Sequence, residues 1–243
     1  GRDATVESLV RCVRCAATEQ YNELSFALSH GLRVAQAAAK QNSLWLEFGA
    51  WSGRTARIIR DAAFEVNKSG VTSFDSFEGL PEDWRIDPLN RSWAIRQFLS
   101  RGSFSRRGRP PFHEHGIRWE VGWFNETLPA YLSRHPTTPI SFVHIDCDLY
   151  SSTDIVFRLI EDRLTADAVI VFDELVNYPE WREHEAKAFV ELLRRTGKSY
   201  KVIGVGPRIV LPDPSAIAKA LALAPQLERW RNGTQGKKPT LGY

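Results

Sequence analysis

A chain of 243 residues with 43% hydrophobic and 25% charged residues can hold one α/β core with embellishments, and it lies outside the composition range of disordered chains. A formal net charge of +3 does not by itself point to nucleic acid, and three cysteines exclude a disulfide framework; Cys12 and Cys15 lack the second pair of a four-ligand zinc site. No apolar run approaches the roughly 20 residues of a membrane span, and the first residues lack a secretory stretch, so the expectation is a soluble, cytoplasmic chain with no membrane partner. The absence of Met points to a trimmed N-terminus, with which an earlier removed leader stays compatible.

In chain order, residues up to about 40 have helical spacing: Leu24, Leu28 and Leu32 repeat at i+4 and run into Ala35 to Ala39. Residues 43–48 form a short apolar run ended by Gly49, followed by Gly53 and the helical pattern Ala56, Ile59, Ala63, which reads as strand, glycine turn, helix. Buried-type strands are predicted at 71–75, 117–121, 140–146 and 168–173. Ser151 to Asp154 has the Ser-x-x-Asp capping form ahead of a helix with Ile155, Val156, Leu159 and Ile160 on one face. Strands alternating with helices imply a parallel sheet with right-handed crossovers. Residues 200–205 and 208–211 flank Gly206-Pro207 closely enough for an antiparallel hairpin. The stretch 82–116 carries Trp84, Trp93, Phe98, Phe104 and Phe112 among arginines and reads as a lid or as a solvated basic loop. The division expected is a single domain over 1–243, with helices over 1–42, a core over 43–211 holding the 82–116 insertion, and a helix and polar tail over 212–243.

The chemistry begins at Glu47-Phe48-Gly49-Ala50-Trp51-Ser52-Gly53. Two glycines let the backbone turn off a strand and aim amide N–H groups, with the positive end of the next helix, at an anionic ligand. The spacing is G-x-x-x-G with an acid two residues ahead, not the dinucleotide pattern G-x-G-x-x-G; it suits an amino-acid carboxylate better than a pyrophosphate and disfavours a nicotinamide oxidoreductase. Asp75, at the end of the next strand, stands where an acid accepts both ribose hydroxyls. Loop and acid together point to a nucleoside ligand.

Residues 46–55 resemble motif I of catechol-type small-molecule O-methyltransferases. The stretches 74–81, 122–129, 144–152 and 171–174 are similar to the macrocin O-methyltransferase family, whose members methylate sugars of macrolide antibiotics. The resemblance covers about 44–195 with the motifs in family order. It implies a Rossmann-like class I methyltransferase: a mostly parallel seven-stranded sheet with a C-terminal antiparallel hairpin and helices on both faces. It also implies that Glu47, Gly49, Trp51, Ser52 and Gly53 surround the methionine half of S-adenosylmethionine (SAM), Asp75 and Ser76 hold its ribose, and Gly122, Trp123 and Phe124 line the adenine pocket. Trp123 and Phe124 follow a strand end where an aromatic face can stack on a base, although burial in a core accounts for them as well.

Asp146 and the pair Asp173-Glu174 close two predicted strands on the same crevice. Carboxylates there are costly unless paired or bound to a cation, and Mg²⁺ suits such hard oxygen ligands. Asp146 is thus expected to be catalytic, to face the cofactor and to hold metal with Asp173 and Glu174. Where catechol-type enzymes carry a lysine base three residues after the first metal aspartate, this chain has Leu149. The base is left among His144, His184, Lys187 and the metal-bound carboxylates, with His184 favoured as the titratable group just past Asp173-Glu174. Asp148 reads as a cap for the following turn.

The function expected is Mg²⁺-assisted, SAM-dependent O-methylation of a small hydroxylated acceptor such as a sugar-containing natural product, without nucleic acid and compatible with a homo-oligomer. The alternatives are a non-catalytic SAM-binding protein and a methyltransferase acting on nitrogen or on a macromolecule. The second is disfavoured because Asp146-Cys147-Asp148-Leu149 replaces the Asn/Asp-Pro-Pro-aromatic run of amine-methylating enzymes.

Overall fold

The computed structural model describes residues 9, 24–38, 42–66, 69–85, 98–176 and 181–204. Helix α1 (Leu24–Ala38) precedes β1 (Leu44–Phe48), α2 (Arg54–Val66) and β2 (Val71–Asp75). After two short strands, β3 (Trp84–Arg85) and β4 (Phe98–Leu99), come β5 (Ile117–Val121), α3 (Phe124–Arg134), β6 (Ile140–Ile145), α4 (Tyr150–Ile160), β7 (Leu164–Phe172) and, past a 3₁₀ turn, α5 (Glu185–Thr196). The main sheet is parallel with order β5-β2-β1-β6-β7. The order reverses between β1 and β6, and a ligand crevice opens at such a reversal, beyond the carboxyl ends of the strands.

Alternation along the strands divides the core in two. On one face, Trp45 and Phe142 stack at 4.9 Å beneath Leu28, Leu32 and Ala35 of α1 and Ala56, Ile59 and Ala63 of α2. On the other, Leu46, Phe48, Phe74, Val143 and Ile145 pack with α3, α4 and α5 through Leu128, Tyr131, Val156, Phe157, Phe189 and Leu192. Helices therefore cover both faces, as expected.

The main sheet has five strands among the described residues, which meets the expected seven-stranded parallel sheet in part. The one antiparallel pair they contain is β3–β4, within the predicted lid, with Trp84 opposite Leu99; residues 200–204 are irregular, and 205–211, like Trp93, Cys12, Cys15 and 212–243, lie outside the described residues. The Ser-x-x-Asp pattern does not cap α4, which starts a residue earlier with Leu149 at its N-cap and no side-chain cap bond. Instead the Ser151 hydroxyl donates to Glu82 Oε1 at 2.6 Å, and Asp154 accepts from Arg158 at 2.7 Å and Arg195 at 3.2 Å. No helix among the described residues is long and apolar enough to cross a membrane.

Candidate active site

The loop after β1 is pressed against the chain leaving β6. Asp146 N–H donates to the Phe48 carbonyl at 2.9 Å, and Gly49 N–H to Phe74 at 3.0 Å. Gly49 has φ +87°, and a Cβ there would stand 1.7 Å from the Asp146 carbonyl oxygen, so only glycine fits. Gly53, at φ +72°, abuts the Phe112 ring in the same way, 2.7 Å from a would-be Cβ. Between them Trp51, at φ +38°, is 52% exposed and meets Phe104 edge-on at 5.6 Å.

Asp75 organises this loop. Its Oδ2 accepts the Ala50 and Trp51 amides, each at 2.8 Å, and its Oδ1 accepts Phe77 N–H at 2.6 Å. Ser76 is buried, its hydroxyl accepting Glu78 N–H at 3.1 Å. Gly122 N–H donates to the Asp75 carbonyl at 3.1 Å, which sets Trp123, 36% exposed, at the N-cap of α3; Phe124 packs edge-on against Phe48 at 5.4 Å. Gly49, Trp51, Ser52, Asp75, Ser76, Trp123, Phe124 and Asp146 all line one cleft, whereas Glu47, Gly53 and Gly122 do not line it.

Glu47 is fully buried beneath the loop. It accepts the Ser73 hydroxyl at 2.6 Å through Oε2 and lies 3.2 Å from His144 Nδ1 through Oε1. Burial works to lower the His144 pKa, but the Glu47 carboxylate, helped by the charges of Asp146 and Asp173, outweighs it and the net shift is upward. His144 reaches the cleft but is tied to Glu47. His184 does not line the cleft: it sits at the N-cap of α5 with its ring edge-on to Trp84 at 6.3 Å. Lys187 also stays outside, pairing with Glu183 at 3.6 Å over the Tyr150 ring.

The acids gather differently from the sequence reading. Ligand oxygens of Asp146, Asp148 and Glu174 all lie within 4.8 Å of one another, while Asp173 is exposed on the same cleft and outside that group. Asp148 is not a cap: its backbone stands at φ +64° and its carboxylate lies beside those of Asp146 and Glu174. Burial pushes Asp146 up to about 8, against the favourable charge of His144 and with the repulsion of Asp173 and Asp148. Burial also raises Asp148, to about 6, and Glu174, whose nearest repelling charge is Asp148. Oxygens sharing one Mg²⁺ lie at most about 4.2 Å apart, a separation that small side-chain rotations reach from here. The donor set is all carboxylate, and Glu174 Oε2 is buried without a hydrogen-bond partner, as suits a hard cation. Sequence reasoning missed Asp148 as a member of this group, although the Asp-x-Asp spacing on a strand end carried the signal. It also passed over Glu185, fully buried at the start of α5 and, in sequence, one charged residue among many on an amphipathic helix.

Comparison with known proteins agrees with this geometry. The profile of the family described as Methyltransferase domain matches residues 46–175. A curated relative, 8-demethyl-8-(2,3-dimethoxy-alpha-L-rhamnosyl)-tetracenomycin-C 4'-O-methyltransferase of Streptomyces olivaceus, is 28% identical over 141 residues, covering 53% of this chain and 51% of the relative. The chain thus spans about half that protein's length. Two solved structures share the fold. CalS11, a calicheamicin methyltransferase, matches with TM-score 0.53 at 23% identity over 86% of this chain and 83% of its own. The O-methyltransferase NovP matches with TM-score 0.52 at 18% identity over 75% of each chain. With its glycine loop, strand-end acid and switch-point cleft inside a profile match that takes in more than half of its length, the chain belongs to the Methyltransferase domain family of class I SAM-dependent methyltransferases.

Proposed function

We propose that the chain transfers the methyl group of SAM to a hydroxyl oxygen of a small, sugar-bearing acceptor, aided by a divalent cation such as Mg²⁺. The observation that carries the reading is the convergence of Asp146, Asp148 and Glu174 in the cleft that Gly49, Trp51 and Asp75 also line. The names of CalS11, NovP and the tetracenomycin enzyme, all methyltransferases and the last acting at a rhamnosyl group, support an oxygen of a sugar as the acceptor.

In this reading the amides of the Gly49–Gly53 loop face the carboxylate of the methionine half, Asp75 and Ser76 take the ribose, and Trp123 with Phe124 flank the adenine. Asp75 already spends acceptor capacity on two loop amides, so it couples ribose binding to the shape of the loop. Asp146 and Glu174, from adjacent strand ends, hold the cation, with Asp173 within the same cleft as a further oxygen donor. A bound divalent cation supplies Lewis-acid polarisation of the acceptor hydroxyl. Asp148, beside the two ion-holding acids, is the cleft carboxylate left to take the hydroxyl proton, since His144 is engaged by Glu47. The acceptor oxygen loses its proton to Asp148 and bonds the methyl carbon as that carbon leaves sulfur, giving the methyl ether and S-adenosylhomocysteine (SAH). Orientation of the two reactants supplies much of the acceleration.

The test is calorimetric titration with SAM and SAH, with and without Mg²⁺, followed by incubation of SAM with polyhydroxylated glycosides and mass detection of methyl transfer. Binding of SAM together with Mg²⁺-stimulated transfer to a glycoside is the expected result. SAM binding with no transfer to any hydroxyl, or transfer that EDTA leaves unchanged, contradicts the acceptor or the cation part respectively.

A further inference from the structure

Two large apolar side chains stand open in the cleft that holds the acids. Trp51 is 52% exposed and Phe104 is 40% exposed, both line the cleft, and their rings meet at 5.6 Å with 67° between their planes. Trp51 comes from the loop after β1 and Phe104 from the insertion, between β4 and β5. Each has a positive φ, +38° and +67°, a conformation that bulky residues rarely adopt and that folds retain mainly at functional sites. The backbone that carries the two rings is braced through one acid. Trp51 N–H donates to Asp75 Oδ2 at 2.8 Å, and Asp75 Oδ1 accepts Phe77 N–H at 2.6 Å. The Phe77 carbonyl in turn accepts the amides of Arg106 and Gly108, at 2.8 and 2.9 Å. Leu80 adds two bonds to the same turn: its N–H donates to Ser103 at 3.0 Å and its carbonyl accepts Gly102 N–H at 2.9 Å. Gly79 approaches the turn so closely that a Cβ would stand 2.3 Å from the Ser103 carbonyl oxygen. Exposed rings on a braced backbone are poor value for the core and well suited to burial against an apolar ligand surface.

We propose that Trp51 and Phe104 form an apolar corner that seats a planar aglycone, so that the chain selects acceptors whose methylated sugar is attached to an aromatic ring. The inference rests on the reading that a sugar hydroxyl is the acceptor, and it adds the group that the sugar carries. Two features separate the corner from the rest of the cleft. In that reading the cofactor is met by main-chain amides of the Gly49–Gly53 loop and by Asp75, Ser76, Trp123 and Phe124, which all belong to the sheet and its turns. Phe104 belongs instead to the insertion, and inserted segments at the mouth of a cleft are where selectivity for the second reactant resides. The sugar, for its part, needs hydrogen-bond partners for its hydroxyls, and those are offered by the cluster of Asp146, Asp148 and Glu174. The corner offers ring faces and edges, which suit a flat hydrocarbon surface. Walls inclined at 67° take such a slab with its face on one ring and its rim against the other, the offset and edge-on contacts that aromatic groups prefer. Phe104 is then a specificity-determining residue that touches the acceptor away from the reacting oxygen. Its loss weakens acceptor binding and leaves the cofactor's hold unchanged.

The probes are para-nitrophenyl α-L-rhamnoside and methyl α-L-rhamnoside, which share a sugar and differ in the aglycone. With SAH and Mg²⁺ present, so that no turnover occurs, calorimetry and saturation-transfer NMR compare the wild-type protein, Phe104→Ala and Phe104→Tyr. The wild type is expected to bind the aryl glycoside about tenfold or more tightly than the methyl glycoside, with the aryl protons saturated more strongly than the sugar protons. Phe104→Ala should remove most of that preference, with methyl-glycoside and SAH affinities within about twofold of the wild type, and Phe104→Tyr should restore the preference to within about threefold. If Phe104→Ala does not fold, Phe104→Gly carries the same expectation, because glycine accepts φ +67° without strain. Equal binding of the two glycosides by the wild type, or an unchanged preference in Phe104→Ala, overturns the corner; transfer from SAM to a sugar hydroxyl is then judged by its own assay. An aryl preference that depends on Phe104, with no transfer from SAM to either glycoside, supports the corner and sinks the sugar as acceptor. Binding of neither glycoside overturns the proposal.

Discussion

Gly49 shows how little freedom a single position has here. A Cβ at that site falls on the Asp146 carbonyl, and the backbone is held at φ +87°, so Gly49→Ala combines steric overlap with a disfavoured dihedral. The expected cost is about 3 kcal/mol or more, read as a lowered denaturant midpoint together with loss of SAH binding. Asp75→Ala removes the acceptor for two loop amides and the proposed ribose partner; SAH affinity should fall by about 10-fold or more, since a charged hydrogen-bond partner is worth about 1.5–3 kcal/mol. Asp148→Asn should lower kcat by about 10²-fold or more while Mn²⁺ binding persists, which separates proton uptake from ion binding; an unchanged kcat sinks the assignment of Asp148. Gly49 and Asp75 were legible because each is tied to a spacing that local backbone chemistry dictates. Asp148 was misread because an acid ahead of a helix has two uses, capping and ligation, and only the turn at φ +64° decides between them.

Between residues and the whole lie the helices that hold the crevice open. Helix α1 covers β7, where Gly31 is close enough that a Cβ would meet Val171 Cγ2 at 2.4 Å, and Leu32, 3% exposed, fills the space next to it. Leu32→Ala should destabilise by about 2–5 kcal/mol, seen as a fall in melting temperature, with SAH affinity little altered because Leu32 itself does not line the cleft. Amphipathic spacing made α1 and α2 readable, and the alternation of apolar runs with helices made β1, β2, β5, β6 and β7 readable. Strands β3 and β4 were not, since two residues carry no period, and their pairing is set by contacts distant in sequence such as Trp84 opposite Leu99. The start of α4 was missed for a related reason. Its Ser and Asp side chains find partners in Glu82, Arg158 and Arg195, distant in sequence, and those bonds compete with capping.

For the molecule as a whole, the acid cluster ties stability to pH. Asp146 carries a folded-state value of about 8 against an ordinary 3.8, so the folded state holds a proton that the unfolded chain has released. The associated stability is fully present below the unfolded value and is lost as pH rises through about 8. Without a divalent cation, the melting temperature should therefore decline as pH is raised from about 4 toward about 8, and Mg²⁺ should flatten or reverse the decline. Thermal unfolding in EDTA and in Mg²⁺ across that range checks this, and a profile indifferent to both would count against ion binding at these acids. The architecture was the most legible level, because strand–helix alternation leaves few topologies open. The partition of the acids was not, since it depends on which strand ends become neighbours and on how deeply α5 buries Glu185.

The buried contact of Glu47 with Ser73 and His144 bears on how the sheet assembles. These residues are cross-strand partners, Glu47 opposite Ser73 on β2 and opposite His144 on β6, and they point to the face that α1 and α2 cover. A slip of either neighbour by one position would swing its polar group to the opposite face and strand a carboxylate in hydrocarbon. The ladder thus proofreads the alignment of the three central strands, and a misaligned sheet is penalised before any ligand arrives. Because Gly49, Asp75 and Asp146 each follow one of those strands by no more than a residue or end it, the same check sets the three walls of the cleft to a common level as the chain folds.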